Sequence, residues 1–97
     1  MKVEVLDIVE FDLATGADFY ERQQQGLGDE FRESVLAEFA RLQYTGGIHS
    51  KTFGYHHCST TRFPFIIYYS VKDDTVLITT LMDGRTDPAT IKNRLQS

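Results

Sequence analysis

The 97-residue sequence has one cysteine, two prolines and no tryptophan. With Cys58 as the only thiol no internal disulfide can form, and a reducing cytoplasm is the expected compartment. Long apolar runs are missing too. The longest, Phe63 to Tyr69, is interrupted by Pro64 and falls far short of the roughly 20 residues needed to cross a bilayer, so no membrane association is expected. The opening Met1-Lys2-Val3-Glu4 lacks the apolar stretch of a secretory signal. Repeats, low-complexity tracts and linkers are absent, and residues 1–97 are expected to form a single domain. Basic residues are few: ten against fourteen acids, a formal net charge of −4. That balance argues against a protein that coats nucleic acid through bulk charge.

The charge is unevenly spread. Residues 1–44 carry ten acids and four basic residues, whereas residues 45–97 carry six basic residues and four acids. An anionic partner is therefore expected to meet the second half.

Hydrophobic periodicity divides the chain at about the same place. Lys2 to Leu6 alternates as an edge strand does. Asp7 and Glu10 are spaced as a capping box, with Asp7 as N-cap. A helix follows with Val9, Leu13, Ala17 and Tyr20 on one stripe. Gly26-Leu27-Gly28 predicts a tight turn. A second helix places Phe31, Val35, Phe39 and Leu42 on its inner stripe, widened by Leu36 and Ala40, and ends at Thr45-Gly46-Gly47. Helices joined so closely are expected to pack as an antiparallel hairpin.

Beyond residue 47 the period becomes two. One strand is predicted through Phe53, Tyr55 and His57, and another from Phe63 to Val71. The latter is apolar on both faces and is expected at the centre of a sheet, with Tyr68 and Tyr69 on opposite sides. Asp73-Asp74 predicts a turn into a strand over Thr75–Met82. Asp87-Pro88 reads as N-cap and first helical residue of a terminal helix, with Ile91 and Leu95 inward and Lys92, Arg94 and Gln96 in water. The expected fold is α+β, a two-helix hairpin on one face of a small, mostly antiparallel sheet, closed by a short C-terminal helix.

Three stretches, in order, resemble the ParE/RelE toxin superfamily. Phe19-Tyr20-Glu21 with Gly26-Leu27-Gly28 and Phe31 resembles its two-helix signature. Arg62 to Tyr69 resembles its central strand in the form common among ParE-like plasmid-stabilisation proteins, and Asp83 to Pro88 with Ile91 and Leu95 resembles its C-terminal signature. The resemblance implies a type II toxin–antitoxin role and a cognate antitoxin whose C-terminal segment wraps the toxin in an oligomeric complex. It also implies one of two activities: messenger RNA cleavage on the ribosome, as in RelE-like members, or action on DNA gyrase without nuclease chemistry, as in ParE-like members.

Chemistry separates the two. Metal-free RNA cleavage needs an activated 2′-hydroxyl, a stabilised phosphorane and a protonated leaving oxygen, supplied in such folds by several Arg or Lys and often a Tyr or His. By analogy, RelE-like nucleases place an arginine on the third strand; here that stretch reads Phe65-Ile66-Ile67. Their C-terminal Tyr or His is also absent from Lys92-Asn93-Arg94-Leu95-Gln96-Ser97. The expectation is a non-catalytic, ParE-like binder of a protein target such as DNA gyrase. The rivals are a ribosome-dependent nuclease using Arg62, Arg85 and His57, and a toxin-fold interaction module without toxicity.

Arg85, Lys92 and Arg94 are the target-binding candidates. An arginine held in a turn can grip a carboxylate or phosphate with two bonds, although pairing of Arg85 with Asp83 or Asp87 is an equal alternative. For Arg62 the competing reading is a salt bridge to a helix carboxylate. His56 and His57 point to opposite faces of a strand and cannot share one ion, so neither metal nor cofactor is expected.

Overall fold

The computed structural model describes residues 1–96. Its elements run β1 (Lys2–Val5), α1 (Asp7–Gln23), α2 (Leu27–Thr45), β2 (Lys51–Thr52), β3 (Tyr55–Ser59), β4 (Phe65–Lys72), β5 (Thr75–Asp83) and α3 (Pro88–Gln96). Five strands form one sheet in the order β1-β5-β4-β3-β2, parallel between β1 and β5 and antiparallel elsewhere. The doubly apolar β4 lies at its centre, as its sequence predicts.

The helical hairpin covers one face. Val9, Leu13, Ala17 and Tyr20 of α1 and Phe31, Val35, Phe39 and Leu42 of α2 are buried against Ile67, Tyr69, Val76, Ile78 and Leu81. Phe31 is fully buried, which alone contributes about 2–3 kcal/mol of transfer free energy. Its ring sits 5.1 Å from Tyr20, 5.2 Å from Phe63 and 4.8 Å from Phe65, centroid to centroid. On the opposite face Ile91 and Leu95 of α3 bury Tyr68, with Tyr55, Ile66 and Met82 around them. Tyr69 therefore belongs to the hairpin side and Tyr68 to the α3 side.

Several expectations need correction. Leu6, not Asp7, is the N-cap of α1; no side chain caps that end, so the capping box does not form and Asp7 begins the helix. Leu36 and Ala40 are exposed, and Glu38 takes a buried place instead. Gly28 lies inside α2 rather than in the turn. The bend is built differently: Gly26 is left-handed, and both Glu21 carboxylate oxygens accept its N–H at 3.1 and 3.0 Å. Glu21 Oε1 also accepts the Gly28 N–H at 3.0 Å, placing a negative charge at the positive end of α2.

The second half holds four strands, not three, because β2 pairs with β3 across a turn at Phe53 and Gly54. Phe53 and Gly54 both have positive φ, which stops β3 at Tyr55. Asp73 and Asp74 form the matching left-handed turn between β4 and β5. Asp87 Oδ1 accepts the Ala89 N–H at 2.7 Å, the expected cap of α3.

One irregularity decides how β5 is used. The register of β4 against β5 shifts between Tyr68 and Tyr69, so Tyr69 pairs with Ile78, Tyr68 pairs with Thr80, and Thr79 is the extra residue. Val76 and Ile78 face the hairpin core below this bulge, and Leu81 faces it above. Without the bulge the alternation would turn Thr80 rather than Leu81 inward.

Candidate functional site

β1 is much shorter than β5. It pairs only with Thr75 to Ile78, and the last bond between them runs from the Leu6 N–H to the Ile78 carbonyl at 3.1 Å. From Thr79 to Asp83 no strand among the described residues lies beside the outer edge of β5. Such an edge leaves main-chain donors and acceptors that must find other partners.

α1 supplies one. Asp12 Oδ2 accepts the Leu81 N–H at 3.4 Å and the Arg94 guanidinium at 2.5 Å, so one carboxylate links α1, β5 and α3. The pair is mostly shielded, with 12% of the Asp12 side chain and 24% of the Arg94 side chain exposed. Arg94 is thus engaged rather than in water, because Asp12 comes round the open edge to meet it.

Around this bridge lies an open, largely apolar groove of about 320 Å³. Phe11 and Phe19 form its outer lip and are 66% and 52% exposed, although both are aromatic. Phe65, Leu81 and Met82 form its floor, and Asp12, Asp83 and Arg94 supply polar groups. Contiguous exposed aromatics beside an unpaired strand edge are the usual chemistry of a peptide-docking surface.

Asp83 anchors Arg85 at the end of β5. Its carboxylate accepts Arg85 Nε at 3.0 Å, Nη2 at 2.7 Å and the Arg85 backbone N–H at 2.8 Å. These hydrogen bonds hold the Asp83 carboxyl below its ordinary range and push the Arg85 guanidinium up. Burial, and next the Asp83 charge, push the Tyr20 phenol up. Arg85 remains exposed, but the Nε–Nη2 side of its fork is taken by Asp83, the pairing expected as the alternative to a two-bond grip on a partner.

Among the candidates Arg94 lines the groove, whereas Arg85, Arg62, His57 and Lys92 do not. Arg62 donates to Glu30 at 2.9 Å, the helix carboxylate anticipated for it, and its guanidinium lies 5.6 Å from the Phe63 ring centroid. His57 packs toward Tyr68, centroids 6.2 Å apart, opposite its partner residue in β4. Lys92 Nζ lies 5.8 Å from the Phe53 ring centroid. Burial pushes the Cys58 thiol up to about 11, with the Glu38 charge adding to it. Among the described residues no three His, Cys, Asp or Glu side chains come close enough together to hold a metal ion. No described helix is long and apolar enough to cross a membrane.

Periodicity missed Phe11, Phe19 and Asp12, since attention falls on the Val9 stripe that builds the core. The signal was present: Ile8, Phe11 and Phe19 lie outside that stripe on α1, and a helix needs only one apolar face to fold.

A helical hairpin on one face of a five-stranded, mostly antiparallel sheet, with a short helix behind, defines a ParE-like α+β fold. Among solved structures, the chain is similar to one described as "Chromosomal ParDE TA system from P. aeruginosa". The TM-score is 0.72 at 17% identity, covering 86% of this chain and 95% of that one, a likeness of fold. No family model and no curated protein matches the sequence.

Proposed function

We propose that the protein is the toxin component of a type II toxin–antitoxin pair, ParE-like in mode. It is neutralised by a cognate antitoxin and acts by binding a protein target such as DNA gyrase. The observation that carries the reading is the groove beside the open half of β5. Exposed Phe11 and Phe19 need an apolar partner, and the free edge of Thr79–Asp83 offers main-chain pairing to an extended segment. A segment of this kind is what an antitoxin tail would provide. The similarity to a chain of a ParDE system supports the same reading.

Target binding is assigned to Arg85, Lys92 and Arg94. Arg85 is presented on a turn with Nε and Nη2 on Asp83, so Nη1 is the nitrogen it brings to the target unless the Asp83 carboxylate is exchanged. Arg94 lines the groove but is held by Asp12, so it engages a target only by exchanging that carboxylate. A protein target, rather than RNA, suits an acidic chain in which both Arg62 and Arg85 already hold carboxylates.

Controlled expression in a bacterium tests the proposal. Stalled replication with filamentous cells, relieved by co-expression of the neighbouring antitoxin frame, is the expected result. Rapid translation arrest with cleaved messages would place the activity with the ribosome-dependent nucleases. Normal growth at verified folded expression would leave an interaction module without toxicity.

A further inference from the structure

A buried phenol helps fasten the α2–β2 connection to the sheet, beside the bond from the His57 N–H to the Ser50 carbonyl at 3.0 Å. Tyr69 of β4 is fully buried, and its hydroxyl accepts the Gly47 N–H at 3.0 Å. The same oxygen lies 2.5 Å from His49 Nδ1. The His49 carbonyl in turn accepts His56 Nδ1–H at 2.6 Å, and the His56 ring stacks on Tyr69 at 5.0 Å with 22° between planes. Phenol, two imidazoles and a left-handed glycine therefore form one connected network.

Counting protons assigns the roles. The Gly47 amide can only donate, so the Tyr69 oxygen accepts from it. The phenol has one proton to give, and His49 Nδ1 is the side-chain acceptor within reach. With the phenol as donor, Nδ1 supplies the lone pair and the imidazole is neutral, protonated at Nε2. If Nδ1 gains a proton it becomes a donor to the phenol oxygen, the phenol's own proton must turn away, and a fully buried hydroxyl proton loses its acceptor. His56 has no such conflict, because it donates to a carbonyl whether neutral or charged.

We infer that His49 and Tyr69 form a proton-operated latch: neutral His49 holds the α2–β2 connection, residues 46–50, against the sheet, and protonated His49 loosens it. The charges around it favour release only under acid conditions. Burial first, then the neighbouring His56 and His57 of β3, push the His49 imidazole below its ordinary value; Glu38 of α2 opposes them. Glu38 is itself paired with Arg41 at 3.3 Å, which weakens its pull, and Cys58 and Arg41 share a hollow with His49 and Glu38. Lys51, which follows the segment, is exposed. The latch contributes its full stability above the ordinary histidine range and loses it as the pH falls toward the depressed value of the folded protein. Its output is the freedom of the connection that leads into β2, while the β2–β3 pairing stays in place.

Amide hydrogen exchange and imidazole nitrogen shifts, followed by NMR from about pH 7.5 to about pH 5, test this. Protection of the Gly47 amide, corrected for intrinsic exchange, should fall about tenfold as His49 protonates, while Ile78 in β5 stays protected. His49→Asn keeps an acceptor near Nδ1 but cannot titrate, so Gly47 should remain protected throughout. In Tyr69→Phe, protection at Gly47 should be low and independent of pH. Three results would overturn the latch: an Nδ1–H tautomer at neutral pH, unchanged Gly47 protection while His49 titrates, or the same acid-induced loss in His49→Asn. The last would assign the effect to His56 or His57.

Discussion

Replacing Gly28 by alanine should destabilise the protein, against the rule that alanine improves a helix interior. Propensity alone favours the substitution by about 1 kcal/mol. At this position, however, an added Cβ would lie 2.6 Å from the Ala17 carbonyl oxygen and 2.9 Å from Glu21 Oε1. The first of these is backbone of the facing helix and cannot rotate away, so α1 and α2 must separate. Overpacking of this kind costs about 1–3 kcal/mol, and weakening the bond from Gly28 N–H to Glu21 costs about 1 kcal/mol more. The net loss is about 1–3 kcal/mol, and for a chain of this length each kcal/mol lowers Tm by about 4–8 °C. Thermal melts and urea titrations by circular dichroism would measure it, with an unchanged m-value showing that the unfolded reference is the same. Gly26 provides the contrast, because it has positive φ but open space around a Cβ. Gly26→Ala should lose only the left-handed penalty of about 1–2 kcal/mol. A Gly28→Ala protein as stable as the parent, or more so, would refute the close helix approach.

Asp12→Ala should cost about 2 kcal/mol, since it strips a shielded carboxylate from both Arg94 and the Leu81 amide; a double-mutant cycle with Arg94→Met should show coupling, and additivity would contradict the bridge. Cys58 should react slowly with a thiol-specific disulfide reagent at about pH 8 and quickly once urea unfolds the chain, because its thiol is pushed up to about 11; equal rates in both conditions would contradict its burial. The double change Phe11→Ser and Phe19→Ser should leave Tm within a few degrees of the parent yet weaken antitoxin capture at least about tenfold, as loss of two interface aromatics does; calorimetric titration with the antitoxin tail measures it, and unchanged affinity would move the docking surface elsewhere.

The core was legible because its determinants are local and periodic. Val9, Leu13, Ala17 and Tyr20 repeat at helical spacing, and β4 is apolar at nearly every position, so element type and depth follow from the pattern. Helix ends were harder to read. Asp7 and Glu10 have the spacing of a capping box, yet the parallel pairing of β1 with β5 carries the chain into α1 with Leu6 at the cap. Leu36 adjoins the inner stripe in the pattern, yet it is exposed, while Glu38 is buried and paired with Arg41. The groove escaped notice because its parts are distant in sequence. Asp12 and Arg94 meet only once the sheet is assembled, and the Thr79 bulge follows from cross-strand register, which no local pattern encodes. Arg62 and Arg85 were readable as ion-pair formers, and each found a carboxylate.

That bulge falls one residue beyond the last pair between β1 and β5, Val5 with Ile78. The coincidence divides a single strand into two mechanical regimes. Thr75 to Ile78 are bonded on both sides and move only with the whole sheet, whereas Thr79 to Asp83 are anchored on one side by β4 and steadied on the other by the Asp12 carboxylate. An incoming chain could replace that carboxylate without disturbing β1 or the core register. Under the proposed docking, the bulge would act as a seam, confining the disturbance to the half of the strand that lacks a neighbouring strand.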